Sequence, residues 1–402
     1  MNYKFPNNFY WGSAISAHQT EGNNQNSDWY AWEMAGNIAK KEVSGIACDH
    51  QKKYKEDIQI AKKLHQNMFR FSIEWAKIQP TKNSWSYEAI KHYQDVINYC
   101  NHLQIQPFIT LNHFTLPKWF SDMGGWEQEN APSMFCEYVE KISAILEKVS
   151  WWSTINEPEI LALQGYLRAD WPPQKRSLKL FWKVYKNLIA SHNASYKIIK
   201  IHQPKAKIGI IKNNVDWDWK YWPIDTLICK FIKYYWNDYI IKNTKNDFLG
   251  LNYYMHNKVH LGFKKPFIVI ANENKITSDL GWEVYPQGIY HVLMDLKKYN
   301  LPIIITENGI ADSKDELRGD FIVNHLYWIK KAIDKGVDVQ GYLHWSLLDN
   351  FEWKEGFTPR FGLVKINYKT QERTIRKSAK IYANIAKNNA LPADLIQKSK
   401  PQ

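Results

Sequence analysis

Thr154-Ile155-Asn156-Glu157-Pro158 and Ile305-Thr306-Glu307-Asn308-Gly309 each close an apolar, β-branched run. Runs of that length and make-up read as buried strands, so each motif sets one glutamate at the carboxyl end of a predicted strand. A strand end holds a side chain rigidly while the loop beyond leaves it open. A barrel brings two such ends to one place however far apart they lie in sequence.

Outward from these two motifs, similar runs recur along the whole chain, at 9–15, 68–75, 107–114, 151–158, 206–213, 248–254, 302–308 and 339–346. Helix-period stretches lie between them. Over 223–242, Ile224, Leu227, Ile228, Phe231, Ile232 and Tyr235 form an i, i+3, i+4 stripe behind Pro223, which suits a first helical turn. Another helix is predicted over 320–335, with Gly336 as its stop. A chain of 402 residues often holds two domains, but no Ser/Gly- or Pro-rich linker breaks this series, and no GxGxxG turn follows the first strand. The expected fold is therefore α/β, a single (β/α)8 TIM barrel over residues 1–402, with a loose tail from about residue 390.

Composition narrows the function classes. Hydrophobic residues make up 45% of the chain and Trp occurs 19 times, enough for a large core. No 18-residue apolar run suggests a membrane span, and the opening Met1-Asn2-Tyr3-Lys4-Phe5-Pro6 lacks a basic-then-apolar leader. A soluble, cytoplasmic chain is expected. Cys48, Cys100, Cys136 and Cys229 are too widely spaced for a zinc clip or a disulfide framework. The net charge of +13 raises nucleic acid as a partner, yet the densest Lys and Arg groups, at 52–63 and 175–183, fall on predicted amphipathic helices. Solvated outer helix faces account for them.

Polar and aromatic groups fall repeatedly at the strand ends: Gln19, Arg70, His113, Asn156, Glu157, Asn252, Tyr254, Glu307 and Trp345. Two facing carboxyls, one protonated and one ionised, are the minimum needed to cut an acetal bond between sugars. Arg70 and Tyr254 suit Glu307 as the anion, and Asn156 suits a sugar 2-hydroxyl. Taken singly, Asn-Glu-Pro reads as a helix start, Thr-Glu-Asn-Gly as a strand exit, Arg70 as a partner of Glu74, and His113 as a core histidine. Their joint occurrence favours the site. Beyond the eighth strand, His344-Trp345-Ser346-Leu347-Leu348-Asp349-Asn350-Phe351-Glu352-Trp353 puts two indoles around a carboxylate, a receptor for the apolar face and hydroxyl rim of a sugar.

With these motifs in order, the chain resembles glycoside hydrolase family 1, the β-glucosidase and β-galactosidase family. The resemblance rests on Phe9-Tyr10-Trp11-Gly12 with Gln19 and Glu21-Gly22, Ala47-Cys48-Asp49-His50, Phe69 through Trp75, Asn112-His113-Phe114, and Thr154 through Pro158. It continues through Gly250-Leu251-Asn252-Tyr253-Tyr254, Gly281-Trp282-Glu283-Val284-Tyr285-Pro286, Thr306 through Gly309, and Trp345 through Trp353 with Arg360-Phe361-Gly362-Leu363. It implies a retaining double displacement, with Glu307 as nucleophile and Glu157 as acid/base, about 5–5.5 Å apart. By the same resemblance Arg70 and Tyr254 support the nucleophile, and Asn252 is expected to back the residues that touch the substrate. Gln19, His113, Asn156, Glu352 and Trp353 hold hydroxyls, Trp345 floors the pocket and Trp282 stacks near the leaving group. The implied substrate is a small glycoside or oligosaccharide, with no metal or organic cofactor.

Family members acting on 6-phosphosugars carry a small hydroxyl residue where this chain has Glu352, whose charge would repel a phosphate. An unphosphorylated hexose is expected, with Lys354 keeping a 6-phospho-β-glycosidase as the alternative. The stretches 170–177 and 213–223 are shorter than is usual in the family, which leaves a catalytically weak glycan-binding barrel as a second alternative.

Overall fold

The computed structural model describes residues 2–219, 223–262 and 268–398. All eight predicted runs form strands: β1 (Tyr10–Ala14), β2 (Met68–Ser72), β3 (Gln106–Asn112), β4 (Trp151–Asn156), β5 (Lys207–Asn213), β6 (Phe248–Asn252), β7 (Ile303–Asn308) and β8 (Val339–Trp345). Each pairs in parallel with the next, and β8 pairs with β1, so the sheet closes. A helix follows every strand: α1 (His50–Lys63), α2 (Tyr87–His102), α3 (Ala131–Ile145), α4 (Leu178–His202), α5 (Pro223–Lys233), α6 (Gln287–Leu296), α7 (Arg318–Asp334) and α8 (Lys377–Asn388). This is the expected (β/α)8 TIM barrel.

Alternation along the strands sorts their side chains. Tyr10, Met68, Phe108, Trp151, Ile211, Phe248, Ile304 and Leu343, one from each strand, pack together inside the barrel. Strand neighbours such as Phe69, Ile109, Trp152, Leu249 and Ile305 join the larger core that also holds residues of the outer helices. The barrel is thus plugged below and open only above, where the loops after each strand begin. Truncating Trp151 in that plug to alanine should cost about 3–5 kcal/mol.

Two expectations need correction. The stripe on 223–242 is not a core face: Ile224, Leu227 and Phe231 are exposed, whereas Asp225, Cys229, Asn237 and Asp238 are buried. The inward side is polar because it serves backbone, Asp225 accepting the Leu261 N–H at 3.0 Å and Asn237 both accepting from and donating to Val215. A π-turn, Tyr234–Asp238, separates α5 from the short helix Tyr239–Asn243. The tail is also tied down as far as Lys398. Ala390–Pro392 pairs antiparallel with Asn2–Lys4, and the helix Ala393–Lys398 follows; residues 399–402 lie outside the described ones.

Candidate active site

Strict alternation would point successive residues of a strand to opposite sides, yet Asn156 and Glu157 line the same cavity. Both motifs sit where pairing slips, between Ser153 and Asn156 on β4 and between Ile305 and Glu307 on β7. Such irregularities re-aim side chains at the rim of a barrel. Glu157 itself adopts a left-handed backbone (φ 43°) just before the helix Pro158–Leu163. Gly309 follows Glu307 because a Cβ there would lie 1.8 Å from the Trp345 carbonyl oxygen.

Glu157 and Glu307 line one cavity of about 440 Å3, together with His113, Asn156, Tyr254, Trp282, Trp345, Glu352 and Trp353. Arg70, on β2 and fully buried, donates through Nη1 to Glu307 Oε1 at 2.5 Å and through Nη2 to Asn156 Oδ1 at 2.8 Å. Its Nε donates to Thr110 at 3.0 Å, so the guanidinium is fixed from three sides. The Tyr254 hydroxyl donates to Glu307 Oε2 at 2.8 Å. Asn252 Nδ2 donates to Glu157 Oε1 at 2.7 Å, while its own oxygen accepts from Thr306 at 2.7 Å.

These partners separate the two carboxyls electrostatically. Burial pushes the Glu157 pKa well above the usual carboxylate range, the charge of Glu307 and then that of Glu159 add to it, and donors on Asn252 and Asn213 oppose it. Burial also raises Glu307, and the Arg70 charge, the Arg70 and Tyr254 hydrogen bonds and Asn252 pull it part of the way back, so it stays raised, though less than Glu157. Glu307 is the more acidic of the pair because the cation is on its side. Burial and Glu307 hold the Tyr254 phenol well above its normal range, so it stays a donor. Burial first, then Arg70, lowers His113 far below the normal imidazole range, so that ring is neutral.

Aromatic rings and a third acid complete the walls. His113 stacks near-parallel between Trp345 and Trp353, with centroids at 5.8 and 6.0 Å. Glu352 is raised to about 8 by burial and by Glu307, against a hydrogen bond from Gln19. Gln19 does not reach the cavity wall: it is buried behind Glu352, donating to it at 3.3 Å and to Asn350 at 3.2 Å. Trp282 packs on Tyr254 at 5.8 Å.

The sequence reading missed three contributors. Asn213, which donates to Glu157 Oε1 at 3.1 Å, ends β5 and could have been found by treating the fifth strand end like the others. Asn350 braces Gln19. Trp171, in a loop singled out only for its brevity, lines the cavity and packs on Phe114 and Trp353 at 4.9 and 5.8 Å. Among the described residues no group of three or more His, Cys, Asp or Glu side chains is placed to hold a metal ion. The cavity therefore presents a proton-bearing carboxyl opposite a cation-held one between indole walls, suited to protonating an acetal oxygen while attacking the acetal carbon.

The sequence pattern of Glycosyl hydrolase family 1 matches residues 1–225 and 236–391. The chain belongs to that family. Among its family 1 relatives, β-glucosidase A of Thermotoga maritima is 32% identical, with 96% of this chain and 99% of the relative covered. A β-galactosidase of Pyrococcus woesei is 29% identical, covering 96% and 98%. The solved β-glycosidase from Pyrococcus horikoshii superposes with a TM-score of 0.95 at 38% identity, over 99% of this chain and 98% of that one. The Thermotoga maritima β-glucosidase in complex with glucoimidazole superposes with a TM-score of 0.91 at 30% identity, over 96% and 99%.

Proposed function

We propose that this family 1 glycosidase removes a terminal β-linked glucose or related hexose from a small glycoside or oligosaccharide, with retention. Glu307 attacks the anomeric carbon while Glu157 gives its proton to the leaving oxygen. The resulting glycosyl ester on Glu307 is then opened by a water that Glu157 deprotonates. Retention calls for carboxyls about 5–5.5 Å apart. Both line one cavity, and the charge of Glu307 acts on Glu157, which supports a pair close enough to serve one substrate. The observation that carries the reading is the asymmetry of the pair, one carboxyl hydrogen-bonded to the Arg70 guanidinium and the other only to amides.

In this reading Asn156, oriented by Arg70, meets the 2-hydroxyl, and Trp345 floors the sugar. His113, Glu352 and Trp353 hold the remaining hydroxyls, Gln19 steadies Glu352, and Trp282 lies toward the leaving group. We read the chain as one catalytic domain working in the cytoplasm without a cofactor, nucleic acid or membrane. No described helix is long and apolar enough to cross a membrane, and all four cysteines are free thiols, which suits a reducing compartment.

Lys354 gives the 6-phosphosugar alternative its one observation, since it lines the cavity. Its ammonium, however, is engaged with Asp170 at 3.0 Å. Hydrolysis of nitrophenyl glucoside, galactoside, fucoside, mannoside and 6-phosphoglucoside tests the choice: faster turnover of the phosphorylated compound would remove it. A 2-deoxy-2-fluoro glucoside should leave a covalent adduct on Glu307. Tight sugar binding without adduct or nitrophenol release would instead mark a binding barrel.

A further inference from the structure

Directly behind Glu157 lies a buried ion pair that the reaction as described does not use. Glu159, two residues on in the short helix, and Lys212, next to last in β5, both have side chains 2% exposed and meet at 2.6 Å. The same glutamate accepts the backbone N–H of Asn213 through its other oxygen at 2.6 Å. Asn213 in turn aims its side-chain amide at Glu157 Oε1, 3.1 Å away, and its carbonyl is held by the Trp236 indole at 3.0 Å. Isolated buried charges are costly, and a pair whose geometry also orders a neighbouring strand end has a use beyond stability.

We propose that Glu159, paired with Lys212, is a positioning residue for the acid/base carboxyl: it fixes Asn213 against Glu157 and sets the local charge under which Glu157 keeps its proton. This rests on the assignment of Glu157 made above. The charged and titratable groups around Glu157 are Glu307, Tyr254, His113 and Glu352 in the same cavity, Arg70 through Asn156, and Glu159 with Lys212 behind. Asp238 acts on Lys212, and Tyr185 feels Glu159. Negative charge on Glu159 disfavours ionisation of Glu157, whereas the Asn213 amide favours it. The two partners therefore pull in opposite directions.

That opposition is the test. The upper limb of the kcat/KM profile against pH, measured with a poor aryl leaving group, reports loss of the Glu157 proton. Glu159→Gln should move this limb to lower pH, and Asn213→Ala should move it to higher pH, each by about half a unit. Glu159→Asp, which keeps the charge, should leave the limb near that of the parent. Unmoved limbs, or limbs moving the same way, would overturn the proposal, because lost packing alone predicts lower activity at an unchanged limb. Should Glu159→Gln not fold, Asn213→Ala at the cavity edge decides alone: an upward shift supports the positioned amide and no shift refutes it. Failure of the underlying reading shows separately, in the parent enzyme, as no turnover and no adduct on Glu307.

Discussion

Glu157 and Glu307 are almost equally buried, 6% and 4% exposed, the one just past the end of β4 and the other near the end of β7, yet their surroundings differ in kind. Glu307 receives a guanidinium and a phenol. Glu157 receives only amides, from Asn252 and Asn213, with a like-charged Glu159 behind it. Burial alone would raise both and leave two indistinguishable acids. Fixed neighbours, not depth, set the two carboxyls apart electrostatically.

The sharpest way to break this comparison is to delete one side. Glu307→Ala should lower kcat about 10⁵-fold, since it removes the carboxylate that Arg70 and Tyr254 hold ready for attack. Added azide should restore turnover and give the inverted glycosyl azide, detectable by NMR; retained product would place the nucleophile elsewhere. Glu157→Ala should be more selective. Substrates with poor leaving groups should lose about 10³- to 10⁴-fold in kcat/KM, and dinitrophenyl glycosides far less, because only the former need the proton. Equal losses in both classes would remove the acid assignment.

How much of this difference was legible without coordinates depends on the kind of interaction. Both carboxyls and Tyr254 stand at or just past strand ends and Arg70 within β2, so the apolar runs and turn residues located them, and the family motifs fixed the roles expected of them. The pairing slips at Ser153/Asn156 and Ile305/Glu307 left no mark in the hydrophobic pattern, because the apolar runs end at Ile155 and Ile305 and the polar residues that follow carry no period to be shifted. Asn213 was within reach as the end of the fifth strand, but Glu159 was not: an acid just past an ordinary motif means nothing until β5 is laid beside the helix that carries it. On α5 the periodic stripe misled outright. Periodicity shows that a helix has an apolar face, not that the face is turned inward, and here buried Asp225 and Asn237 take the inner positions to satisfy loop backbone.

A milder intervention weakens the Glu307 side without deleting it. Arg70→Met removes the cation and strips a donor from Asn156, so kcat/KM should fall about 10²- to 10³-fold, an effect of about 3–4 kcal/mol on the transition state. The lower limb of the pH profile should rise as Glu307 becomes harder to ionise. Calorimetry should accompany the kinetics, because the buried Thr110 and Glu307 each lose a partner. A lost lower limb with unchanged melting would assign the effect to chemistry, whereas a proportional loss of folded protein would assign it to scaffold.

Tyr254→Phe sharpens the comparison most finely, because it removes one hydrogen bond and no charge. Glu307 keeps Arg70 and Asn252, so it should still ionise, though less readily: a lost donor to the anion raises the carboxyl pKa. Since attack requires the anion, the lower limb of kcat/KM should move up by about half a unit to one unit, with about a tenfold loss at the optimum. The upper limb, governed by Glu157, faces a competing influence. A Glu307 that is neutral over more of the pH range repels the Glu157 anion less, so any movement of that limb should be downward and smaller. Upward movement of the lower limb with a nearly stationary upper one is the signature of two carboxyls set by separate neighbours. Limbs that travel together would mean that the pair shares one proton as a unit, and the division between the Arg70 side and the amide side would then not hold.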